Sequence, residues 1–252
     1  MSIHAMKKLY EGKAKVVYST DTPAVLIQRF KDSATAFNAA KKADFVGKGE
    51  LNNRISSMVF RFLEKRGVSS HYLDTVNKRD MRIRQVTIIP LEVVTRNIVA
   101  GSLTQRLGLP EGTRLQSPIV EFYYKNDELG DPLLTEDHIR ILKLASSAEL
   151  ADLRRQALLV NTALKELWSK CSLELVDFKL EFGKAIDGQL LLADEISPDT
   201  QRLWAADGRK LDKDVFRRDL GDLVETYQEV HDRLVKEWPE LKLGELLDAP
   251  TN

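Results

Sequence analysis

A single cysteine in 252 residues, Cys171, leaves no partner for an intrachain disulfide and excludes a cysteine zinc site. Histidine is almost as scarce. His4, His71, His138 and His231 stand far apart, with no HxxH or HExxH spacing among them. Metal chemistry in this chain therefore has to rest on carboxylates, which favours magnesium over zinc. Excess charge is missing too: Lys plus Arg and Asp plus Glu both number 38, so the formal net charge is zero. A strongly basic nucleic-acid-binding domain is excluded, although a balanced total can still hide a local basic cleft. No apolar run is long enough to span a bilayer, and Met1 to Met6 hold no stretch of signal-peptide length. The expectation is a protein of the reducing cytoplasm with neither nucleic acid nor membrane as a partner.

What is present is ordinary for a globular chain: 43% hydrophobic and 30% charged residues, in a length that suits one large domain or two small lobes sharing a cleft. The first third reads as β-rich. Leu9 to Glu11 and Lys15 to Tyr18 flank Gly12-Lys13-Ala14 as a hairpin, and Ala24 to Phe30 predicts another strand. Ile55, Met58, Val59, Phe62 and Leu63 follow a helical period, with Gly67 at the C-terminal cap. Met81 to Val99 predicts two strands broken near Pro90, and Ile119 to Lys125 one more before a polar turn, Asn126 to Pro132. Leu153, Ala157, Val160, Leu164 and Leu167 predict a long helix, which Ser146 and Glu149 open as a capping box. Strands at Leu173 to Phe182 and Gln189 to Asp194 follow, then one helix from about Lys213 to Trp238. Strands and helices come in blocks, which predicts α+β in two lobes rather than a doubly wound sheet.

Chemistry concentrates in a few segments. In Leu175 to Gly183, alternation sets Val176, Phe178, Leu180 and Phe182 on one face and Asp177, Lys179 and Glu181 on the other. Such a strand fits the wall of a polar cleft; a half-exposed strand with cross-strand ion pairs would look the same. The next strand is apolar until it ends in Asp194-Glu195, where a carboxylate near Glu181 can share a divalent cation; an exposed acidic turn is the plainer reading. Gly12 allows close approach of backbone to phosphate and Lys13 and Lys15 can neutralise it, yet a basic β-turn has the same composition. Arg96, Arg202 and Arg217 suit bidentate capture of phosphate or carboxylate, but nothing in their spacing makes them converge. Cys171 reads as a small buried hydrophobe, and His71 as structural or exposed.

Taken together these segments resemble the SAICAR synthetase family. The resemblance is carried by Leu9-Tyr-Glu-Gly-Lys-Ala-Lys15, Glu92-Val-Val-Thr-Arg-Asn-Ile-Val-Ala-Gly-Ser-Leu103 and Lys125-Asn-Asp127. Val176-Asp-Phe-Lys-Leu-Glu-Phe-Gly183 and Asp194-Glu-Ile-Ser-Pro-Asp-Thr-Gln-Arg-Leu-Trp204 complete it, in an order that covers nearly the whole chain. It implies a two-lobed α+β fold related to ATP-grasp enzymes and kinases, with a β-rich lobe over 1–93, a second lobe over 94–252, and ATP in the cleft. It implies condensation of 5-amino-1-(5-phosphoribosyl)imidazole-4-carboxylate with L-aspartate at the expense of ATP, with magnesium, in a cytoplasmic homodimer.

By resemblance, Gly12, Lys13, Ala14 and Lys15 cover the ATP phosphates with Lys125 nearby, and Glu181 and Asp194 hold magnesium. Arg96, Ser102, Asp177, Lys179, Arg202 and Arg217 face the ribotide or aspartate, with Lys13, Asp177 and Lys179 closest to the chemistry. One departure stands out: where the family shows an Asp-Gly pair after the third strand, this chain has Asn38 and Ala39. A small-molecule kinase with the same ATP lobe and a nucleotide-binding regulator without turnover are the rival readings.

Overall fold

The computed structural model describes residues 7–36 and 41–244, so Asn38 and Ala39 lie outside the described residues. The chain opens with β1 (Lys8–Glu11), β2 (Lys15–Ser19) and β3 (Val25–Phe30), three antiparallel strands. The turn between the first two is closed by the Gly12 N–H donating to the Lys15 carbonyl at 2.9 Å. A small hairpin follows, β4 (Ser33–Ala36) with β5 (Lys41–Asp44), then α1 (Lys48–Glu64), β6 (Tyr72–Thr75) and β7 (Asp80–Arg84). The first sheet has the order β1-β2-β3-β7-β6. In α1 the predicted apolar stripe is buried as expected, and Gly67 closes the following turn with φ 78°, a left-handed value open to glycine.

The second sheet begins with β8 (Thr87–Ile98), after which come α2 (Ser102–Leu107), β9 (Arg114–Tyr124), β10 (Leu133–Leu134), α3 (Glu136–Ile141) and α4 (Ser147–Lys170). It is completed by β11 (Leu173–Lys184), β12 (Leu190–Ala193) and β13 (Gln201–Ala205), followed by α5 (Asp214–Arg217) and α6 (Leu223–Glu237). The order is β10-β9-β8-β11-β12, with β13 also paired to β11. The capping box at α4 is present: Glu149 N–H donates to Ser146 Oγ at 3.3 Å and Ser146 N–H to Glu149 Oε2 at 2.6 Å. Helices α1 and α4 pack with the inner faces of both sheets into one core, in which Trp168 is fully buried and donates to Gln201 Oε1 at 2.7 Å. Cys171 is buried as expected, and burial pushes its thiol up to about 12.

Three expectations need correction. Pro90 does not break a strand; the break falls at Gln85-Val86, and Pro90 lies inside β8 at a shift in its register with β11. A bulge is one of the few places in a sheet where the missing N–H is harmless. The C-terminal helix is not continuous. It stops after α5 and restarts at Asp222, whose side chain accepts from Val224 and Glu225 N–H. Val176 does not share the Phe178 face: β11 bulges between Leu175 and Asp177, and Val176 packs with Ile98 and Ala100 in a separate small cluster. The chain passes between sheets at Gln85-Val86 and β8 runs through residues 93 and 94, so the lobe division we propose lies at the head of β8.

Candidate active site

Register brings the charged face of β11 together with its neighbours. Asp177 pairs across with Arg96 on β8 and with Arg202 on β13; Glu181 pairs with Glu92 and with Ala193, one residue before Asp194. Both β12 and β13 lie on the same side of β11, and the loop from Asp194 to Thr200 joins them, anchored where Lys179 N–H donates to the Thr200 carbonyl at 2.8 Å. The turn of the first sheet reaches over this floor. The result is a cleft of about 1050 Å³ between the two sheets.

Of the residues expected at the site, Gly12, Lys13, Ala14, Lys15, Arg96, Lys125, Asp177, Lys179, Glu181, Asp194, Arg202 and Arg217 all line this cleft. Ser102 does not; it stands behind, 3.3 Å from Arg96 Nη2. One group of charges surrounds Glu181 on β11 and Asp194 just past β12. Glu181 Oε1 accepts from Lys125 at 2.9 Å and Lys179 at 2.8 Å, and Lys179 also reaches Glu92 at 2.9 Å. Lys15 bridges Asp194 and Glu195, the latter at 2.8 Å. Burial works against these charges, but the partners outweigh it. Lys15 and Lys179 are raised above the usual lysine range by their carboxylates, and Asp194 is held well below the carboxylate range by Lys15 and Lys179.

A second group lies on the β8–β11–β13 side. Asp177 accepts from Arg96 Nη1 at 3.0 Å and from Arg202 Nη1 at 2.9 Å, while Arg202 Nε donates to Asp214 at 2.9 Å and Arg217 Nη1 to Asp214 at 2.6 Å. Gly101 leaves room for this arrangement: a Cβ there would stand 2.5 Å from Arg202 Nη2. Beneath, Asp212 accepts from Leu203 and Asp214 N–H, and burial together with Asp214 pushes its carboxyl up to about 7.

Sequence reasoning missed a third cluster. Asp199, on the loop after Asp194, accepts from Asn52 at 2.7 Å and Tyr227 at 2.8 Å and is ion-paired with fully buried Lys48; Lys213 stands 3.6 Å away. Its partners lie on α1, α6 and the approach to α5, so only the position of Asp199 inside the quoted motif could have pointed to it. His71, read as structural or exposed, is buried with its Nε2 3.2 Å from the Asp194 carbonyl, and burial brings its ring down to about 4.

As a donor set, Glu181 and Asp194 fit magnesium rather than zinc: two carboxylates, one within β11 and one just past the end of its neighbour β12, both lining the cleft. Among the described residues no three His, Cys, Asp or Glu side chains group as metal ligands. A cation would therefore take its other ligands from phosphate oxygens and water, as magnesium does.

An α+β fold that gathers lysines, arginines and carboxylates from neighbouring strands into one cleft defines an enzyme that handles several anions together. Residues 8–234 match the SAICAR synthetase family, and the chain belongs to it. It is 60% identical over 227 residues to phosphoribosylaminoimidazole-succinocarboxamide synthase of Anoxybacillus flavithermus, covering 90% of this chain and 95% of that protein. Among solved structures, the synthase of Ehrlichia chaffeensis superposes with a TM-score of 0.88 at 46% identity, covering 90% of this chain and 98% of that one. A SAICAR synthetase in complex with ADP also gives 0.88, at 49% identity, covering 93% of this chain and 99% of the other.

Proposed function

We propose that this cleft joins the carboxylate of 5-amino-1-(5-phosphoribosyl)imidazole-4-carboxylate to the amine of L-aspartate, converting ATP to ADP and phosphate. The observation that carries the reading is the division of charge within one cleft. Lys15, Lys125 and Lys179 surround the Glu181–Asp194 pair on one side, and Arg96, Arg202 and Arg217 stand on the other. The first set suits a nucleoside triphosphate and magnesium, the second a phosphate ester and carboxylates. The solved relative with ADP supports the nucleotide side.

A carboxylate does not condense with an amine at neutral pH, because its oxygen leaves poorly. In the proposed route a carboxylate oxygen of the ribotide attacks the γ-phosphorus and the bond to ADP breaks, giving an acyl phosphate. The aspartate amine then attacks the carbonyl carbon, the C–O bond to phosphate breaks, and the nitrogen gives up a proton. Bound magnesium would neutralise charge on the transferring phosphate. Lys13 and Lys15, at the Gly12 turn, are placed to hold the phosphates. Lys179, kept charged by Glu92 and Glu181, can meet the reacting carboxylate, while Asp177 is fixed between two arginines and orients the acceptor. No side chain has to serve as a nucleophile.

A cytoplasmic homodimer belongs to the same proposal and is supported by the family resemblance. Among the described residues no helix is long and apolar enough to cross a membrane.

The deciding experiment follows ADP while substrates are left out singly. Sustained ADP formation should need ribotide, magnesium and aspartate together, since without the amine the route halts at the acyl phosphate. Full-rate ADP formation without aspartate would favour a kinase, and none under any combination would favour a regulator. A second expectation concerns Lys13, half-exposed and paired to Asp127 at 2.8 Å. Lys13→Met should weaken ATP binding or slow transfer about tenfold or more, with ribotide affinity little changed. Calorimetry with each ligand checks this; a selective loss of ribotide binding would put the turn over the other substrate.

A further inference from the structure

We propose that Gln28 and His71 are positioning residues for Asp194, locking its backbone so that its carboxylate faces the nucleotide and metal. The inference rests on the reading of Asp194 as a magnesium ligand. Asp194 has φ 64°, a left-handed value that residues with side chains seldom adopt. Such a conformation persists where the surroundings over-determine it, and it gathers at functional sites. Here the surroundings are specific. Gln28 Nε2 donates to the Asp194 carbonyl at 3.2 Å, and His71 Nε2 lies 3.2 Å from the same oxygen. A carbonyl can only accept, so the imidazole carries its proton on Nε2.

Both side chains are themselves fixed. Gln28 is buried on β3 with its amide 3.7 Å from Met81 Sδ. His71 donates its backbone N–H to the Leu192 carbonyl at 2.8 Å, and its ring packs at 5.4 Å from that of Phe60. The adjoining Ser70–Leu192 bridge is parallel and joins the edge of the first sheet to β12 of the second. Lys15, from β2, holds the carboxylate itself. Three grips on Asp194 thus come from β2, β3 and the residue before β6, all on the first-sheet side, although Asp194 follows a strand of the second. Without the two carbonyl donors, residue 194 is free to leave the left-handed region, and its side chain leaves β12 in another direction. Partners that orient a metal ligand without touching the metal commonly change metal affinity by about 10–100-fold.

The test measures ADP affinity by calorimetry, with saturating magnesium and again with EDTA, alongside thermal melting. Wild type, Gln28→Met, His71→Leu and His71→Gln are compared. The gain in ADP affinity that magnesium confers should fall about tenfold or more in Gln28→Met and His71→Leu. Affinity in EDTA should stay near the wild-type value. His71→Gln, which can still donate from its amide, should recover most of the gain. Gln28→Met, nearly equal in volume, carries the test if His71→Leu does not fold. An unchanged magnesium gain in both variants overturns the role. So does an equal loss with and without magnesium, which would show direct contact with the nucleotide or a purely structural part. No magnesium gain in the wild type would overturn the metal assignment and this inference together, while aspartate-dependent turnover would still uphold the ligase reading.

Discussion

Asp194→Asn and Glu181→Gln should each lower turnover by about 10²–10³-fold and leave the chain folded. Each substitution keeps the side chain's size and removes one negative charge from the proposed magnesium site. Folding survives because the buried lysines keep other partners. Lys15 retains Glu195 at 2.8 Å when Asp194 is neutralised, and Lys179 retains Glu92 at 2.9 Å when Glu181 is. Lys125 has Glu181 as its ion-pair partner, but its side chain is 36% exposed and water can take over. Without those alternatives, breaking a buried pair would be strongly destabilising and loss of activity would carry no information. Steady-state ADP formation across a magnesium titration, with circular dichroism as the control, gives the answer. Near-normal activity at low magnesium in either variant would sink the metal assignment.

How far this site could be read in advance depends on the range of the contact. Alternation along β11 put Asp177, Lys179 and Glu181 on one face, because a strand's two-residue period is a local property. The same rule misplaced Val176, since a bulge is set by the partner strand β13 and leaves no mark of its own in the sequence. Pro90 was misread for the same reason: its tolerance inside β8 depends on a register shift against β11. The helix α4 was fully legible, cap included, since period and capping box are both local. The C-terminal helix was not, although Gly221 and Asp222 offered a break and a cap together.

Convergence was the least legible. Arg96, Asp177 and Arg202 are neighbours across three strands, but only strand order reveals it. The Lys48–Asp199–Tyr227 cluster joins residues 151 and 28 positions apart. Family resemblance supplied the first constellation, as an implied list of site residues, and was silent on the second. The grip of Gln28 and His71 on Asp194 spans 166 and 123 positions and ends on a backbone oxygen, which no side-chain pattern can announce.

Arg202→Lys should weaken ribotide binding by about 30-fold, roughly 2 kcal/mol, and leave ADP affinity unchanged. The structure sharpens why a lysine cannot substitute. Arg202 Nη1 holds both oxygens of Asp177, at 3.1 and 2.9 Å, while Nε holds Asp214 at 2.9 Å. Burial opposes the guanidinium charge, but Asp177 and Asp214 raise it well above the ordinary arginine range. A single ammonium cannot span both carboxylates in that fixed geometry. One of them loses its bond from residue 202, and an anionic substrate arriving beside it meets a less well neutralised wall than in the wild type. Arg96 remains on Asp177 and Arg217 on Asp214, so the cleft keeps its shape and the effect stays on the acceptor side. The nucleotide side depends on Lys15, Lys125 and Lys179, none of which pairs with Asp177 or Asp214. Calorimetric titration of Arg202→Lys with ADP and, separately, with ribotide decides the matter. Impaired ADP binding with unchanged constants for ribotide and aspartate would place Arg202 with the nucleotide, and the division of the cleft into two charged halves would fail with it.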